Sequence, residues 1–267
     1  MISGNITKER MEKWKVISPE DNGLWEVIAP GRSDCEQVSI YRLNLEAGQE
    51  YVLHSGDKEM DAACVKGSAR VVCEAFEEEC GKLDSFYIIK DMEITIKAHE
   101  KTVFYIGAAV DEGYGKPYFR KTDMTLPIGE IHQIHGKGVG RREVFMTVNP
   151  EVPSSRILAG LTWSENGAWT SWPPHQHEND LEEVYCYFDM NEPHFGLHMS
   201  YVEPGDVHNM VVHTVSSGTM VLAPRGYHPT AASPGTRNAY FWVLAAHSHE
   251  SRRYDLAVSD PERAELN

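Results

Sequence analysis

Short runs of β-branched and aromatic residues, separated by Gly, Pro, Asp and Asn, recur along the whole chain. Few segments show the 3.6-residue apolar period of an amphipathic helix. Many short strands separated by turn residues are typical of an all-β sandwich or barrel. The predicted strands of the first half are residues 25–28, 38–45, 62–65, 69–74, 85–89, 93–98 and 101–108, and those of the second half are residues 143–148, 157–163, 183–188, 195–201, 210–214, 219–222 and 238–244.

The strands fall into two sets, which predicts two tandem jelly-roll barrels. The break is expected within residues 111–117 or slightly after it, with residues 121–137 crossing into the second half. We therefore predict an N-terminal barrel over residues 1–125 and a C-terminal barrel over residues 126–267. When the halves are compared, residues 61–67 are expected to correspond to residues 183–189.

Composition narrows the classes of partner. The net charge of −15 argues against nucleic-acid binding, which needs a basic surface, and against anionic membranes. No apolar run approaches the ~20 residues that span a bilayer, and the N-terminus lacks the apolar core of a signal peptide, so we expect a cytoplasmic protein. The five cysteines form no Cys-x-x-Cys pair, which indicates reduced thiols.

The strongest chemical signal is a set of histidines and carboxylates in the second half. His175 and His177 share one face if they lie on a strand, because side chains alternate with a period of two. A carboxylate follows at Glu182 or Glu183, and His228 follows a Pro-Arg-Gly-Tyr turn. Three imidazoles and one carboxylate bind a divalent transition metal and leave coordination positions open for substrate.

Other histidines and arginines are weaker candidates. Among the histidines near residues 195–201, His198 is the one expected to face the barrel interior. His132 and His135 are expected in a loop, and His247 and His249 at a solvated strand end. An acidic substrate would need positive charge near the metal, and an arginine can grip a carboxylate with two parallel hydrogen bonds. The candidates for this role are Arg141, Arg142 and Arg225.

The first half lacks a full ligand set. His54 lies near the position of the histidine pair, but no second histidine accompanies it, and residues 90–96 contain none. His54 and His99 are expected at the surface or at strand ends. We therefore predict that the N-terminal barrel has a structural role or forms a dimer interface. The protein is then a candidate homo-oligomer.

Three motifs carry a resemblance to a known family. They are Pro-Pro-His-Gln-His at 173–177, Leu-Glu-Glu-Val-Tyr-Cys-Tyr-Phe at 181–188 and Pro-Arg-Gly-Tyr-His-Pro at 224–229. With them, the chain resembles the bicupin sugar-acid isomerases, the family that holds 5-deoxy-glucuronate isomerase and 5-keto-4-deoxyuronate isomerase, and is closer to the former. The resemblance implies one metal site in the C-terminal barrel, with His175, His177, Glu183 and His228 as ligands. Glu182 remains a competitor for Glu183.

The resemblance also implies a reaction. It is the aldose–ketose conversion of 5-deoxy-D-glucuronate to 5-dehydro-2-deoxy-D-gluconate in myo-inositol breakdown, with a metal stabilising the developing enediolate charge. Zinc is favoured by analogy, with iron, manganese or nickel as alternatives. The general base is open among metal-bound hydroxide, Glu182, Tyr185, Tyr227 and His198. The other functions considered are 5-keto-4-deoxyuronate isomerisation in pectin breakdown, a cupin dioxygenase and a non-catalytic sugar-binding cupin, because one fold hosts many functions.

Overall fold

The computed structural model describes residues 5–177 and 179–263. Its helical elements are one short α-helix, Lys8–Met11 (α1), and three 3-10 turns at Glu12–Trp14, Gly138–Gly140 and Tyr254–Leu256. The strands of the first half are β1 (Lys15–Ile17), β2 (Gly23–Ile28), β3 (Ser39–Leu45), β4 (Glu50–His54), β5 (Lys58–Lys66), β6 (Ala69–Val72), β7 (Glu77–Cys80), β8 (Ser85–Ile88), β9 (Glu93–Ala98), β10 (Thr102–Val110) and β11 (Tyr118–Arg120). Those of the second half are β12 (His132–His135), β13 (Arg142–Val148), β14 (Ile157–Ser164), β15 (Trp169–Thr170), β16 (His175–Gln176), β17 (Leu181–Tyr187), β18 (Gly196–Ser200), β19 (Val211–Val215), β20 (Thr219–Ala223), β21 (Thr230–Ala232), β22 (Ala239–Ala246) and β23 (Val258–Ser259).

These strands form four main sheets. The first half contains a six-stranded sheet, β11-β8-β5-β10-β3-β2, and a four-stranded sheet, β4-β9-β6-β7. The second half contains a seven-stranded sheet, β1-β20-β17-β22-β14-β13-β12, and a four-stranded sheet, β15-β21-β18-β19, while β16 pairs with β23. The all-β prediction of two tandem cupin barrels is confirmed.

Three apolar clusters lie between the sheets. One fills the N-terminal barrel and another the C-terminal barrel. The third joins the two large sheets face to face, and residues of β5, β10, β14, β17 and β22 contribute to it. The central strands are therefore buried on both faces, which explains their nearly continuous apolar sequences.

The N-terminal segment contacts the C-terminal barrel. β1 pairs with β20 of the C-terminal barrel, with Lys15 opposite Val221. His213 Nε2 lies 3.1 Å from the carbonyl oxygen of Met11, which ties the end of α1 to the same barrel. The two sets of sheet strands otherwise separate between β11 and β12, and the exact domain boundary stays a prediction.

Two buried glutamates join the barrels in a reciprocal way. Glu59, on β5, accepts hydrogen bonds from the backbone N–H groups of residues 155–157, which lead into β14. Glu182, on β17, accepts hydrogen bonds from the backbone N–H groups of residues 36–38, which lead into β3. Each carboxylate thus satisfies donors that belong to the other barrel, and buried donors left without partners would be costly.

This reciprocity fixes the correspondence between the halves. Because Glu59 takes the place of Glu182, Met60 takes the place of Glu183, and Met60 packs in the apolar interior of the N-terminal barrel. The predicted correspondence of residue 61 with residue 183 is therefore wrong by one residue. A thioether in place of a carboxylate removes an anionic ligand from the N-terminal barrel, and the described residues of that barrel form no cluster able to hold a metal.

Within the described residues, no helix has the length and apolar character needed to cross a membrane. All five cysteines are free thiols. Four of them are buried and Cys73 is half-buried, in agreement with the expectation of reduced cysteines.

Candidate metal centre

Three histidines meet inside the C-terminal barrel. His175 lies on β16, His177 directly follows that strand, and His228 lies in the turn between β20 and β21. Their ligand-capable atoms all lie within 4.8 Å of one another. Glu183, on β17, completes the group, because its Oε2 is 3.1 Å from Nε2 of His177 and 3.1 Å from Nε2 of His228. The structure thus brings together the four residues that the sequence singled out.

The imidazole rings are oriented by backbone carbonyl groups. The Nδ1 atoms of His175, His177 and His228 lie 3.1, 3.2 and 2.9 Å from the carbonyl oxygens of Pro173, Leu181 and Gly226. A neutral imidazole that donates from Nδ1 keeps a lone pair on Nε2, and this tautomer is the one that such second-shell contacts select in metal sites. All three rings are therefore arranged to offer Nε2.

The electrostatics of the cluster also fit a cation. Burial, followed by the neighbouring imidazoles, lowers the pKa of His175 to about 3, so this ring is neutral at physiological pH. Burial opposes ionisation of Glu183, but the contacts with His177 and His228 outweigh it and hold its pKa well below the usual range. His228 Nε2 is buried and has no hydrogen-bond partner among the described residues, although Glu183 is near. A divalent cation would satisfy both the carboxylate charge and this lone pair.

A cavity of about 550 Å³ adjoins the cluster. Its volume falls in the range of small-molecule sites. Most of its wall is apolar or aromatic, and a few polar groups break that surface. The wall includes Gln133, His135, Arg142, Val144, Thr162, Ser171, His175, His177, Leu181, Glu183, Tyr185, Tyr240, Trp242, Leu244, Tyr254 and Ser259.

The side chains proposed as general base differ in their position relative to the cavity. Tyr185 lines the cavity, its hydroxyl donates to Ser171 Oγ at 3.2 Å, and its ring centre is 5.7 Å from that of His228. His198 lies behind it, with its ring 4.9 Å from the Tyr185 ring and Nδ1 2.9 Å from the Tyr187 hydroxyl. Tyr227 stacks on Tyr201 and is not part of the cavity wall. Among the side chains proposed from sequence, the structure thus leaves Tyr185 beside the cavity.

Glu182 is a correction to the sequence analysis. Successive side chains of β17 point to opposite faces, so Glu183 faces the barrel interior and Glu182 faces the other barrel. Its two carboxylate oxygens accept from Glu36, Gln37 and Val38 at 2.6–2.8 Å. Glu182 is therefore wrong as a general base and as a ligand, because its carboxylate is occupied away from the cavity.

Substituting each of the two neighbouring glutamates with glutamine should give opposite results. In Glu182→Gln, an amide N–H₂ would face a backbone donor, and we expect a loss of about 2–4 kcal/mol of unfolding free energy with metal affinity preserved. In Glu183→Gln, the loss of an anionic ligand should weaken metal binding at least tenfold with a smaller effect on unfolding. Urea unfolding and chelator competition on both variants measure the two effects, and a metal defect confined to Glu182→Gln would contradict the assignment.

Only one of the three arginine candidates lines the cavity. Arg142 begins β13, and its Nη1 donates to the Trp172 carbonyl oxygen at 2.9 Å. Arg141 points elsewhere and forms an ion pair with Glu165 at 2.6 Å on the surface. Arg225 is half-buried and is not part of the cavity wall. The role predicted for Arg141 is therefore corrected, and that of Arg225 stays a prediction.

Sequence reasoning missed one wall of the cavity. His132 and His135 lie on β12 rather than in a loop, and β12 pairs with β13 so that His135 is opposite Arg142. Gln133 shares a face with His135, and both line the cavity. The alternating sequence His-Gln-Ile-His, followed by a glycine, could have predicted this short strand.

The C-terminal segment supplies a further wall that the sequence did not suggest. Tyr254, Ala257 and Ser259 line the cavity although they follow the last long strand. The second His-x-His, at 247–249, does not join the metal cluster: it follows β22, and His249 stacks face to face with Tyr114 at 3.6 Å.

A family profile and individual relatives of known name point to the same protein family. The sequence profile of the KduI/IolB family matches residues 16–265. The 5-deoxy-glucuronate isomerase of Geobacillus kaustophilus is 27% identical over 243 residues, covering 85% of this chain and 86% of its own. The enzyme of the same name from Bacillus licheniformis is 32% identical over 233 residues, covering 82% and 84%.

Solved structures agree in fold. An IolB-like protein from Salmonella typhimurium superposes with a TM-score of 0.82 at 22% identity, covering 96% of this chain and 99% of its own. Oxalate decarboxylase of Bacillus subtilis, a protein with Mn(II) centres, superposes with a TM-score of 0.60 at 16% identity, covering 96% and 80%. The extent of the profile match and the named relatives identify this chain as an isomerase that belongs to the KduI/IolB family.

Proposed function

We propose that this chain is a metal-dependent aldose–ketose isomerase that converts 5-deoxy-D-glucuronate to 5-dehydro-2-deoxy-D-gluconate in myo-inositol breakdown. The observation that carries the proposal is the convergence of three imidazoles, two of them in contact with the Glu183 carboxylate, on a cavity of sugar-acid size. The names of the relatives support the substrate, since proteins called 5-deoxy-glucuronate isomerase align over more than four-fifths of the chain.

His175, His177, Glu183 and His228 are the residues that would hold the metal. Three imidazoles with one carboxylate suit zinc, iron, manganese and nickel, of which we favour zinc by family analogy. When bound, a divalent metal supplies Lewis-acid stabilisation of the oxygen charge that develops as an aldose becomes an enediol.

Tyr185 is positioned to act on the substrate from the protein side. Burial, followed by the charge of Glu183, raises the pKa of its hydroxyl well above the ordinary value, so the group stays protonated. A protonated phenol beside the cluster donates a hydrogen bond to a substrate oxygen rather than removing a proton from carbon. We assign Tyr185 the role of hydrogen-bond donor to the reacting end of the sugar, for which its single O–H would turn from Ser171 Oγ to a substrate oxygen.

The wall formed by β12 and β13 suits the opposite end of the substrate. Arg142 and His135 are directly opposed across the two strands, and Gln133 follows on the same face, 2.8 Å from His135. Partial desolvation at the cavity wall, followed by the charge of Arg142, lowers the pKa of His135, which favours its neutral ring beside the positive charge of Arg142. We assign the substrate carboxylate to Arg142 and neighbouring hydroxyl groups to His135 and Gln133.

Adjacent arginines provide a matched test of this orientation. Arg142→Ala should raise KM for the sugar acid at least tenfold, because a charge-assisted hydrogen bond is worth about 1.5–3 kcal/mol. Arg141→Ala should leave KM within a factor of two, because this side chain pairs with Glu165 outside the cavity. Steady-state kinetics on both variants measure the contrast, and an equal KM for the two would refute the assignment of the carboxylate.

Proton NMR of the metal-replete protein with 5-deoxy-glucuronate and, in a parallel tube, 5-keto-4-deoxyuronate tests the reaction itself. We expect conversion of the first substrate. Conversion of the second alone would move the proposal to pectin breakdown. Turnover of neither by protein with bound metal would refute the proposed substrates and direct attention to other sugar acids.

A further inference from the structure

The C-terminal segment lines the cavity and is joined to the strand that bears His175. β23 pairs with β16, and Ser259 lies opposite His175. The backbone N–H of Asp260 donates to the Pro174 carbonyl oxygen at 2.8 Å, which extends this pairing by one residue. The backbone from Pro174 to Gln176 is therefore held by a segment that lies far away in sequence.

Asp260 is unusual within this segment because it is completely buried, whereas Val258 is 51% exposed. Its Oδ2 accepts from the Tyr201 hydroxyl at 2.7 Å and from the Gly205 N–H at 3.1 Å, and its Oδ1 accepts from the Glu262 N–H at 3.0 Å. Arg263 Nε lies 3.5 Å from Oδ2. A buried carboxylate with this many donors holds its surroundings in one arrangement, because each lost bond would leave a buried polar group unpaired.

Tyr201 leads from Asp260 to the second ligand candidate. Its backbone forms a two-way bridge with Tyr227, at 2.8 and 3.1 Å, and the two rings stack with centres 5.1 Å apart. Gly226 makes this approach possible: its φ is +80°, and a Cβ there would lie 2.5 Å from the Tyr201 carbonyl oxygen. His228 follows directly, and its Nδ1 lies 2.9 Å from the carbonyl oxygen of Gly226.

We propose that Asp260 is a positioning residue that sets the spacing of His175 and His228, because its backbone N–H holds one of their two segments and its buried carboxylate holds the other. The main-chain bond to Pro174 holds one segment, and the side-chain bond to Tyr201 holds the other. This inference rests on the proposed metal centre, since the quantity that Asp260 controls is the separation of two ligand atoms. Loss of a group that hydrogen-bonds a ligand directly typically weakens metal affinity 10–100-fold, and Asp260 acts one contact further out, so we expect a loss at the lower end of this range.

Metal affinity of the purified chain tests the inference. Asp260→Asn should weaken the binding of Zn²⁺ and of Mn²⁺, measured by competition with a chromophoric chelator, by about tenfold. Tyr201→Phe keeps the stacked ring and removes one bond to Asp260, so we expect a smaller loss in the same direction, and this variant serves if Asp260→Asn does not fold. Asp255→Asn, at an exposed carboxylate of the same segment that pairs with Arg253, is the control and should bind as the wild type does.

Unfolding midpoints separate positioning from simple anchoring of the C-terminus. Lower midpoints for Asp260→Asn and Tyr201→Phe with wild-type metal affinity would overturn the inference and leave the proposed function intact. A wild-type chain that bound neither metal would overturn the metal centre, and this inference with it. Weakened affinity in both variants, with Asp255→Asn unchanged, is the result expected.

Discussion

Replacing His177 with alanine should abolish turnover and metal binding together. His177 is buried, its Nδ1 contacts the Leu181 carbonyl oxygen, and its Nε2 faces Glu183. Loss of a direct ligand should cost more than the 10–100-fold typical of outer-shell substitutions, so we expect metal affinity and kcat/KM to fall by more than about a hundredfold. Metal content after dialysis and NMR-monitored turnover are the two measurements.

A histidine far from the site gives the matched control for this substitution. His99 is exposed in the N-terminal barrel, where it pairs with Glu79 at 2.7 Å, so His99→Ala should keep wild-type metal content and turnover. A metal-free His177→Ala protein with full activity would refute the metal-dependent reaction. A variant that keeps its metal would show that His177 is not a ligand.

The second large effect is on the free energy of unfolding and arises from Asp61, a carboxyl group buried between the two barrels. Asp61 is completely buried, and Thr147 Oγ1 donates to its Oδ2 at 2.6 Å, while Oδ1 has no hydrogen-bond partner among the described residues. Burial is the main cause that raises the pKa of Asp61 from 3.8 to about 7. The charge of Glu59 adds to this effect, and Arg120 and Thr147 oppose it.

The direction of the pH effect follows from the two pKa values. Below pH 3.8 the Asp61 carboxyl is protonated in both the folded and the unfolded chain, so the stabilisation that comes from its raised pKa is fully present. Between pH 3.8 and about 7 the unfolded chain releases the proton while the folded chain retains it, so stability is lost as pH rises. The whole difference corresponds to about 4 kcal/mol, since one pKa unit is 1.36 kcal/mol.

Asp61→Asn removes this titration and should therefore stabilise the protein at high pH. Between pH 5 and pH 8, the unfolding free energy of the variant relative to the wild type should rise by roughly 3 kcal/mol. Urea unfolding at the two pH values measures the change, with Asp57→Asn at an exposed loop position as the control. A gap between variant and wild type that is the same at both pH values would show that Asp61 does not titrate in this range.

The sequence predicted the strands that carry their own local pattern. Runs such as 143–148 and 238–244 are apolar, β-branched or aromatic and bounded by turn residues, so they were recognised and agree with β13 and β22. The ligand candidates were recognised for a similar reason, because their residue types and spacing are local properties. The choice of Glu183 over Glu182 followed from family resemblance, and the structure supports it through the alternation of β17.

Features that depend on contacts distant in sequence were not predicted. β1, β16 and β23 have only two or three residues each and exist because a partner strand satisfies their backbone groups. The orientation of Glu182 depends on backbone donors in residues 36–38, about 145 positions earlier. No local sequence pattern predicts such a contact. The wall of Gln133, His135 and Arg142 likewise required the pairing of β12 with β13.

The reciprocal glutamates make the two barrels mutually dependent. If either barrel were produced alone, one buried carboxylate would lose its three donors and three backbone N–H groups would lose their acceptor, while the apolar faces of both large sheets would be open to water. The C-terminal barrel should therefore be obtained as a folded fragment only when the N-terminal barrel is co-expressed with it. The N-terminal barrel, whose described residues form no metal-ligand cluster, would then act as a built-in folding partner for the barrel that holds the histidine cluster.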